Sequence, residues 1–128
     1  MRLLLDTCTF LWLAADAPQL TSIARDRCRD PGNEVYLSAV SAWEIALKYR
    51  LGRLELPEPP ARYVVSRRTW LQIESLAFDE ASAAHDALLP GHHRDPFDRA
   101  LVSQAILGGM SIVTPDAEIG RYPAPVVW

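Results

Sequence analysis

Residues 2–6 read RLLLD, a short apolar run that ends in an acidic residue. Such a run predicts a buried strand, and the apolar segment CTFLWLAA at residues 8–15 predicts a helix directly after it. The pattern recurs further along, where strand-like residues 34–38 precede a helical segment at residues 40–51. This alternation of strand and helix favours a parallel sheet covered by helices on both faces.

The rest of the chain divides in the same way, with turn residues between the elements. We expect a helix capped by Thr21 or Ser22 and ending near Arg29, followed by a turn at residues 30–33. Gly52 is expected to end the helix at residues 40–51, and a helix over residues 61–69, a strand over 70–76 and a helix from Asp79 to Leu89 follow. Short strands are expected at 111–113 and 125–128, with a small helix at 116–122 between them.

Composition limits the class of protein. The chain has 128 residues, a formal net charge of −3 and 49% hydrophobic residues, so we expect one domain over residues 1–128. No apolar stretch reaches 18 residues, which predicts a protein without a membrane span, and we expect it in the cytoplasm. Cys8 and Cys28 lack CxxC spacing, so buried free thiols in a reducing compartment are expected.

Acidic residues recur where strands or loops meet helices. In HHRDPFDR at residues 92–99, Asp95 and Pro96 fit an N-cap and a first helical residue, which places Asp98 in the first turn. Ser41 and Glu44 have the spacing of a capping box. Taken singly, each acidic residue is as compatible with a helix cap as with a metal ligand.

The acidic residues are more informative as a set. If the sheet is parallel, its carboxyl edge brings Asp6, Glu44, Asp98 and Asp116 together. Unit charges 4 Å apart repel by about 4 kcal/mol at an effective dielectric constant of 20, so such a cleft needs a cation. Mg²⁺ or Mn²⁺ is the simplest one, because these ions prefer oxygen ligands. The sequence contains no glycine-rich phosphate-binding loop and no GxSxG motif of a serine hydrolase. The histidine pair at residues 92–93 has no cysteine at the spacing of a zinc site, so a solvated loop is the better interpretation of this pair.

Four motifs occur in order along the chain: Asp6-Thr7 after the first strand, SAWEIALK at residues 41–48, HRDPFDR at 93–99 and VTPD at 113–116. Together they resemble the PIN-domain ribonucleases, and most closely the VapC toxins of bacterial type II toxin–antitoxin pairs. The resemblance extends from Met1 to Trp128. It implies a Rossmann-like three-layer α/β/α sandwich with a central parallel sheet, and an endoribonuclease that depends on Mg²⁺ or Mn²⁺.

The resemblance also implies roles for single residues. Its metal-binding and catalytic residues match Asp6, Glu44, Asp98 and Asp116, while Asp95 either reaches the metal or only caps the helix. Thr7 matches the family's small hydroxyl residue after the first aspartate; it is a candidate to hold a metal-bound water and also a candidate to bind the substrate. Candidates to hold RNA phosphates, or else to be solvated surface charges, are Lys48, Arg50, Arg94 and Arg99. The implied partners are an RNA substrate, a VapB-type antitoxin and a second copy in a homodimer.

In the expected mechanism, the metal activates a water molecule for in-line attack on phosphorus, and Asp116 or Glu44 orients or deprotonates that water. Such a reaction leaves a 3′-hydroxyl and a 5′-phosphate. Two alternatives remain open. A receiver-like phosphoacceptor module should show paired acids after the first strand, where this chain has only Asp6. A catalytically inactive PIN-like binding module is compatible with the same sequence.

Overall fold

A computed structural model describes residues 1–92 and 94–128. His93, the second residue of the histidine pair, lies outside the described residues. Within these residues, five strands form one parallel sheet in the order β3-β2-β1-β4-β5. The strands are β1 (Arg2–Leu5), β2 (Glu34–Ser38), β3 (Glu74–Leu76), β4 (Ser111–Val113) and β5 (Val126–Val127).

Six α-helices connect the strands in the described part of the chain. They are α1 (Thr7–Ala15), α2 (Ser22–Arg29), α3 (Ala39–Arg50), α4 (Pro60–Trp70), α5 (Glu80–His85) and α6 (Pro96–Gly108), and short 3₁₀ helices follow at Asp86–Leu88 and Ile119–Arg121. None of these helices is long and apolar enough to cross a membrane.

Each face of the sheet carries its own hydrophobic core. Successive side chains of a strand point to opposite faces, so Leu3 and Leu5 of β1 enter one core and Leu4 enters the other. The first core includes Phe10 of α1 and residues of α2, α3 and α4, whereas the second combines α6 residues such as Leu101 with Ile112 of β4 and with Ile119. The predicted three-layer α/β/α sandwich with a parallel sheet is therefore confirmed.

Local capping signals locate most helix ends. The side chain of Asp95 accepts hydrogen bonds from the backbone N–H groups of Phe97 (2.9 Å) and Asp98 (3.3 Å), and Pro96 occupies the first helical position. At the other end of α6, Gly109 adopts a left-handed φ of 63°, which glycine accommodates at no steric cost. Of the two residues expected to cap the second helix, Thr21 is the N-cap of α2, and Asp79, where a later helix was expected to start, is the N-cap of α5.

The predicted capping box at Ser41 and Glu44 is wrong. Strand β2 passes directly into α3, so the helix begins at Ala39 and Ser38 is its cap, with Ser38 Oγ accepting from the N–H of Val40 at 3.0 Å. Ser41 and Glu44 consequently lie inside the helix, where both are buried. Glu44 is thereby placed in the second turn of α3, away from the helix terminus.

The predicted strand at residues 70–76 is also too long. Helix α4 continues through Trp70, and Gln72 has a positive φ of 58° that turns the chain before β3 begins at Glu74. Two other predicted helices are shorter or tighter than expected: the one at 79–89 ends as a 3₁₀ turn, and the one at 116–122 is a single 3₁₀ turn.

The two cysteines are free thiols, as expected, although each is half-buried and not fully buried. Burial raises the pKa of the Cys8 thiol to about 12, with the charge of Asp6 as a second cause. Burial alone raises the pKa of Cys28 to about 11. Both groups are therefore protonated at neutral pH and poorly nucleophilic.

The junction between β2 and α3 yields a stability prediction. Ser38 is buried, and its hydroxyl donates to Gln104 Oε1 at 2.5 Å while accepting from Val40. Ser38→Ala removes the cap and leaves the buried Gln104 oxygen without this donor, so we expect a loss of about 2–3 kcal/mol in the free energy of unfolding. Urea denaturation monitored by circular dichroism measures this loss.

Ser22→Ala is the matched control, because Ser22 is exposed at the first position of α2 and the side chain of Thr21 caps that helix. We expect this control to change the free energy of unfolding by less than about 0.5 kcal/mol. Equal losses in the two variants would contradict the proposed importance of the Ser38–Gln104 contact.

Candidate active site

A cleft of about 360 Å³ lies beyond the carboxyl edge of the sheet. Parallel strands all end at this edge, so the residues that follow β1 and β4 reach it from the middle of the sheet. The charged residues described in its lining are Asp6, Glu44, Lys48, Arg53, Asp95, Asp98 and Asp116. All four carboxylates of the predicted metal set, together with Asp95, therefore line one cleft.

Asp6 lies at the inner end of the cleft and is only 6% exposed. It caps α1: Oδ1 accepts from the N–H of Thr7 at 2.7 Å, and Oδ2 accepts from the hydroxyl of Thr114 at 2.6 Å. Burial raises the pKa of Asp6 above its ordinary value, and the hydrogen bond from Thr114 opposes this rise. The nearby charge of Glu44 raises the pKa of Asp6 further, so a cation in the cleft would favour the ionised form.

Glu44 projects from the second turn of α3 and is 5% exposed. Its Oε1 accepts from the hydroxyl of Thr7 at 2.7 Å, and Thr7 Oγ1 also lies 3.0 Å from Ser41 Oγ. Thr7 thus connects the start of α1 to α3 and orients the Glu44 carboxylate. The resemblance implied a water-holding role for Thr7, whereas its hydroxyl here contacts protein groups.

The remaining carboxylates come from the start of α6 and from the segment after β4. Asp95 both caps α6 and lines the cleft, so these two roles are not exclusive. Asp98 lies half-buried in the first turn of α6. Asp116 accepts from the N–H of Glu118 at 2.8 Å, and its own N–H donates to Thr114 Oγ1 at 3.0 Å. The Thr114 hydroxyl therefore links Asp6 to Asp116.

Lys48 brings a positive charge into this acidic cleft. Its Nζ lies 2.5 Å from Glu44 Oε2, one helical turn away on α3, and its side chain is 49% exposed. The hydrogen bond to Glu44 raises the pKa of Lys48, and the charges of Glu44, Asp95 and Asp98 add to the rise against the opposing effect of burial. The ammonium group is therefore held charged by several of the carboxylates at once.

The carboxylates of the cleft suit Mg²⁺ or Mn²⁺ because they supply oxygen ligands, whereas the Cys8 thiol, which also lines the cleft, is protonated. As they stand, however, no three His, Cys, Asp or Glu side chains among residues 1–92 and 94–128 are arranged to hold a metal ion. Glu44 is engaged by Lys48 and Thr7, and Asp6 by Thr114. The oxygen donors of these carboxylates fit Mg²⁺ or Mn²⁺.

Two of the arginines expected to hold phosphates lie elsewhere. Arg94 and Arg99 line a neighbouring cavity of about 410 Å³ with Trp43, Phe78 and Phe97. The guanidinium of Arg99 donates to Asp86 Oδ1 at 2.7 Å and to the carbonyl of Pro90 at 2.8 Å. Arg99 therefore holds the segment before the DPFDR motif against α6. Of the substrate-binding candidates, the structure brings Lys48 and Thr7 into the cleft.

Sequence reasoning did not place Cys8 and Arg53 in the cleft, and it did not find the support that Thr114 gives to Asp6. Arg53 reaches the cleft because the chain turns back at Gly52, where the N–H of Arg53 donates to the carbonyl of Lys48 at 2.8 Å. The glycine predicted to stop α3 was a usable signal for this reversal. Thr114 lay inside the quoted VTPD motif, but no spacing in the sequence indicates its contact with Asp6.

Comparison with known proteins agrees with this architecture. A family model described as PIN domain matches residues 3–125. Ribonuclease VapC22 of Mycobacterium tuberculosis is 31% identical over 134 residues, covering 98% of this chain and 97% of that protein. Ribonuclease VapC16 of the same organism is 48% identical over 73 residues, or 57% of this chain, and the match spans only 50% of that relative's length.

Solved structures share the fold at low sequence identity. VapBC2 from Rickettsia felis, bound to a promoter DNA fragment, has a TM-score of 0.74 at 15% identity, covering 98% of this chain and 97% of that one. DNA-bound VapBC from Salmonella typhimurium has a TM-score of 0.66 at 18% identity, covering 98% and 96%. Because the family model matches nearly all of the sequence and VapC22 matches it over almost its full length, the chain belongs to the PIN-domain family and is a relative of the VapC ribonucleases.

Proposed function

We propose that this protein is a divalent-metal-dependent endoribonuclease and the toxin of a VapBC-type toxin–antitoxin pair. The observation that carries the proposal is the cleft in which Asp6, Glu44, Asp98 and Asp116 meet from four distant parts of the sequence. A shared fold alone does not establish an activity, so the proposal depends on this site. The names of the two ribonuclease relatives support the reaction class.

Within this proposal, Asp6, Glu44, Asp98 and Asp116 hold Mg²⁺ or Mn²⁺. The ion, when bound, would act as a Lewis acid on the phosphodiester and activate water for in-line attack. Asp95 is a positioning residue: its carboxylate accepts from two backbone N–H groups at the start of α6 and thereby orients the turn that carries Asp98.

Within this proposal, different residues transfer the proton and position the carboxylates. We assign the general base to Asp116, since it is half-buried on the segment after β4, whereas Glu44 is buried and its carboxylate accepts from Thr7. Thr7 and Thr114 keep the Glu44 and Asp6 carboxylates in place. Attack by water in place of the ribose 2′-hydroxyl leaves a 3′-hydroxyl and a 5′-phosphate.

The partners follow from the same proposal. The solved structures with this fold include VapBC complexes, which supports a VapB-type antitoxin as partner, and a homodimer remains part of the proposal. Residues 1–128 would form one PIN domain, and RNA would be the substrate. The free thiols of Cys8 and Cys28 are compatible with the reducing cytoplasm that this proposal includes.

Removing single charges tests the metal site. Glu44→Gln and Asp98→Asn keep side-chain size but remove a negative charge from the cleft, so we expect RNA cleavage with Mg²⁺ to fall at least about 100-fold in each. Glu55→Gln, an exposed acid outside the cleft lining, is the control and should cleave like the wild type. Cleavage is measured with end-labelled RNA, and circular dichroism checks the fold.

If Glu44→Gln and Asp98→Asn both cleave like the wild type, the metal assignment is wrong. If the wild type itself cleaves no RNA with Mg²⁺ or Mn²⁺, an inactive PIN-like or receiver-like binding module becomes the better function. Detection of a 2′,3′-cyclic phosphate product would instead contradict water as the nucleophile.

Asp95 can be separated from the metal ligands. Asn is as good an N-cap as Asp, so Asp95→Asn should keep cleavage within about threefold of the wild type, whereas Asp95→Ala should lose about 1 kcal/mol of unfolding free energy. Parallel cleavage and denaturation assays measure both effects. A loss of activity in Asp95→Asn as large as that in Asp98→Asn would make Asp95 a metal ligand.

The Thr114 hydroxyl provides a test of positioning. Thr114→Val keeps the shape of the side chain but removes the hydroxyl that donates to Asp6 and accepts from the N–H of Asp116. We expect cleavage to fall by about 10- to 100-fold, which is the range for residues that orient metal ligands, and the Mg²⁺ concentration needed for cleavage to rise. Thr114→Ser should restore most of the activity. Thr69→Val, at an exposed position of α4, is the control, and failure of serine to rescue would indicate a packing role only.

A further inference from the structure

We propose that Lys48 is an internal counter-ion: its ammonium group balances the acidic cleft in the metal-free protein and is released from Glu44 when a divalent ion binds. The inference rests on the proposed function, because it concerns the same cleft. The inference assigns a role to Lys48, which is not one of the proposed metal ligands.

The contacts of Glu44 show which partner of this ion pair moves. Glu44 is buried, and its second oxygen accepts from Thr7, which lies at the start of another helix. Lys48 is 49% exposed on its side-chain atoms and sits near the end of α3, so its flexible stem can carry the ammonium group into water. The carboxylate therefore stays in place, and the lysine is the mobile partner.

The geometry also explains why the two cations compete. The Lys48 ammonium lies 2.5 Å from Glu44 Oε2, and a metal ion held by Glu44 would require an oxygen of that same carboxylate. Asp95 and Asp98 favour the charged ammonium electrostatically, and the same charges would attract a divalent ion. The ammonium group and the metal ion are attracted by the same negative charges. Binding of the metal therefore weakens the ion pair between Lys48 and Glu44, and the ion pair weakens binding of the metal.

The burial of Glu44 supports this competition. A buried Glu44 without any cation would carry a large desolvation cost, which the lysine offsets in the metal-free protein. Lys48 thus stabilises the empty cleft and weakens the affinity of the cleft for metal.

Calorimetric titration with Mg²⁺ at pH 8 and low ionic strength tests the competition. We expect Lys48→Met to bind Mg²⁺ about tenfold more tightly than the wild type, equivalent to about 1.4 kcal/mol, and Lys48→Arg to stay within about threefold. Arg50→Met is the matched control: it removes a positive charge from the same helix outside the cleft lining, so its affinity should change less than about twofold.

Thermal unfolding provides a second measurement that needs no cleavage. Without metal, Lys48→Met should melt below the wild type, because Glu44 loses its counter-ion. The rise in melting temperature caused by Mg²⁺ should be larger in this variant, since tighter binding gives greater stabilisation. A rise equal to that of the wild type, together with unchanged affinity, would overturn the inference.

The chain contains one lysine, so its side-chain signal can be observed directly. In protein labelled with ¹⁵N-lysine, we expect Mg²⁺ to move the side-chain ammonium resonance to the position that Glu44→Gln shows without metal. If calorimetry shows Mg²⁺ binding while this resonance stays unmoved, the inference fails and the proposed function stands. If the wild type and every variant bind neither Mg²⁺ nor Mn²⁺, the proposed metal site fails, and the inference fails with it.

Discussion

The mutual repulsion of carboxylates at the carboxyl edge of the sheet is the constraint on which the site depends. Two like charges about 4 Å apart repel by about 4 kcal/mol at an effective dielectric constant of 20, and Asp6 and Glu44 are also buried. The fold offsets this cost with hydroxyl donors from Thr7 and Thr114 and with one ammonium group. The contact of Thr7 with Glu44 joins α1 to α3, the contact of Thr114 with Asp6 joins the segments that follow β4 and β1, and Lys48 pairs with Glu44 within α3.

Much of the architecture could be predicted because it depends on short-range signals. The apolar run of β1, the caps at Asp6 and Asp95 and the stop at Gly52 are each visible within a few residues. The meeting of the acidic residues could be predicted as well, since the ends of parallel strands share one edge. The helices and strands were predicted from periodicity and capping residues. The acidic cleft was predicted from the general rule that parallel strands end at one edge of the sheet.

The rest depends on contacts that spacing does not encode. The Ser41–Glu44 spacing fits a capping box, yet the direct passage of β2 into α3 moves the helix start to Ala39. The guanidinium of Arg99 is directed by Asp86 and Pro90, which pack against α6 only in the folded chain. Whether a charged side chain faces the cleft or a neighbouring cavity is decided by such tertiary contacts, and no local pattern distinguishes the two.

The hydroxyl of Thr114 has a consequence for how the protein is made. It joins Asp6 to the Asp116 segment across 108 positions of sequence, and β4, which carries it there, completes the pairing of β1 in the centre of the sheet. A nascent chain still lacking β4 has no partner for that edge of β1 and no support for its first acidic residue. The ribosome would therefore release the whole β1–β4 span before the cleft could assemble, so an incomplete translation product would not carry the finished site.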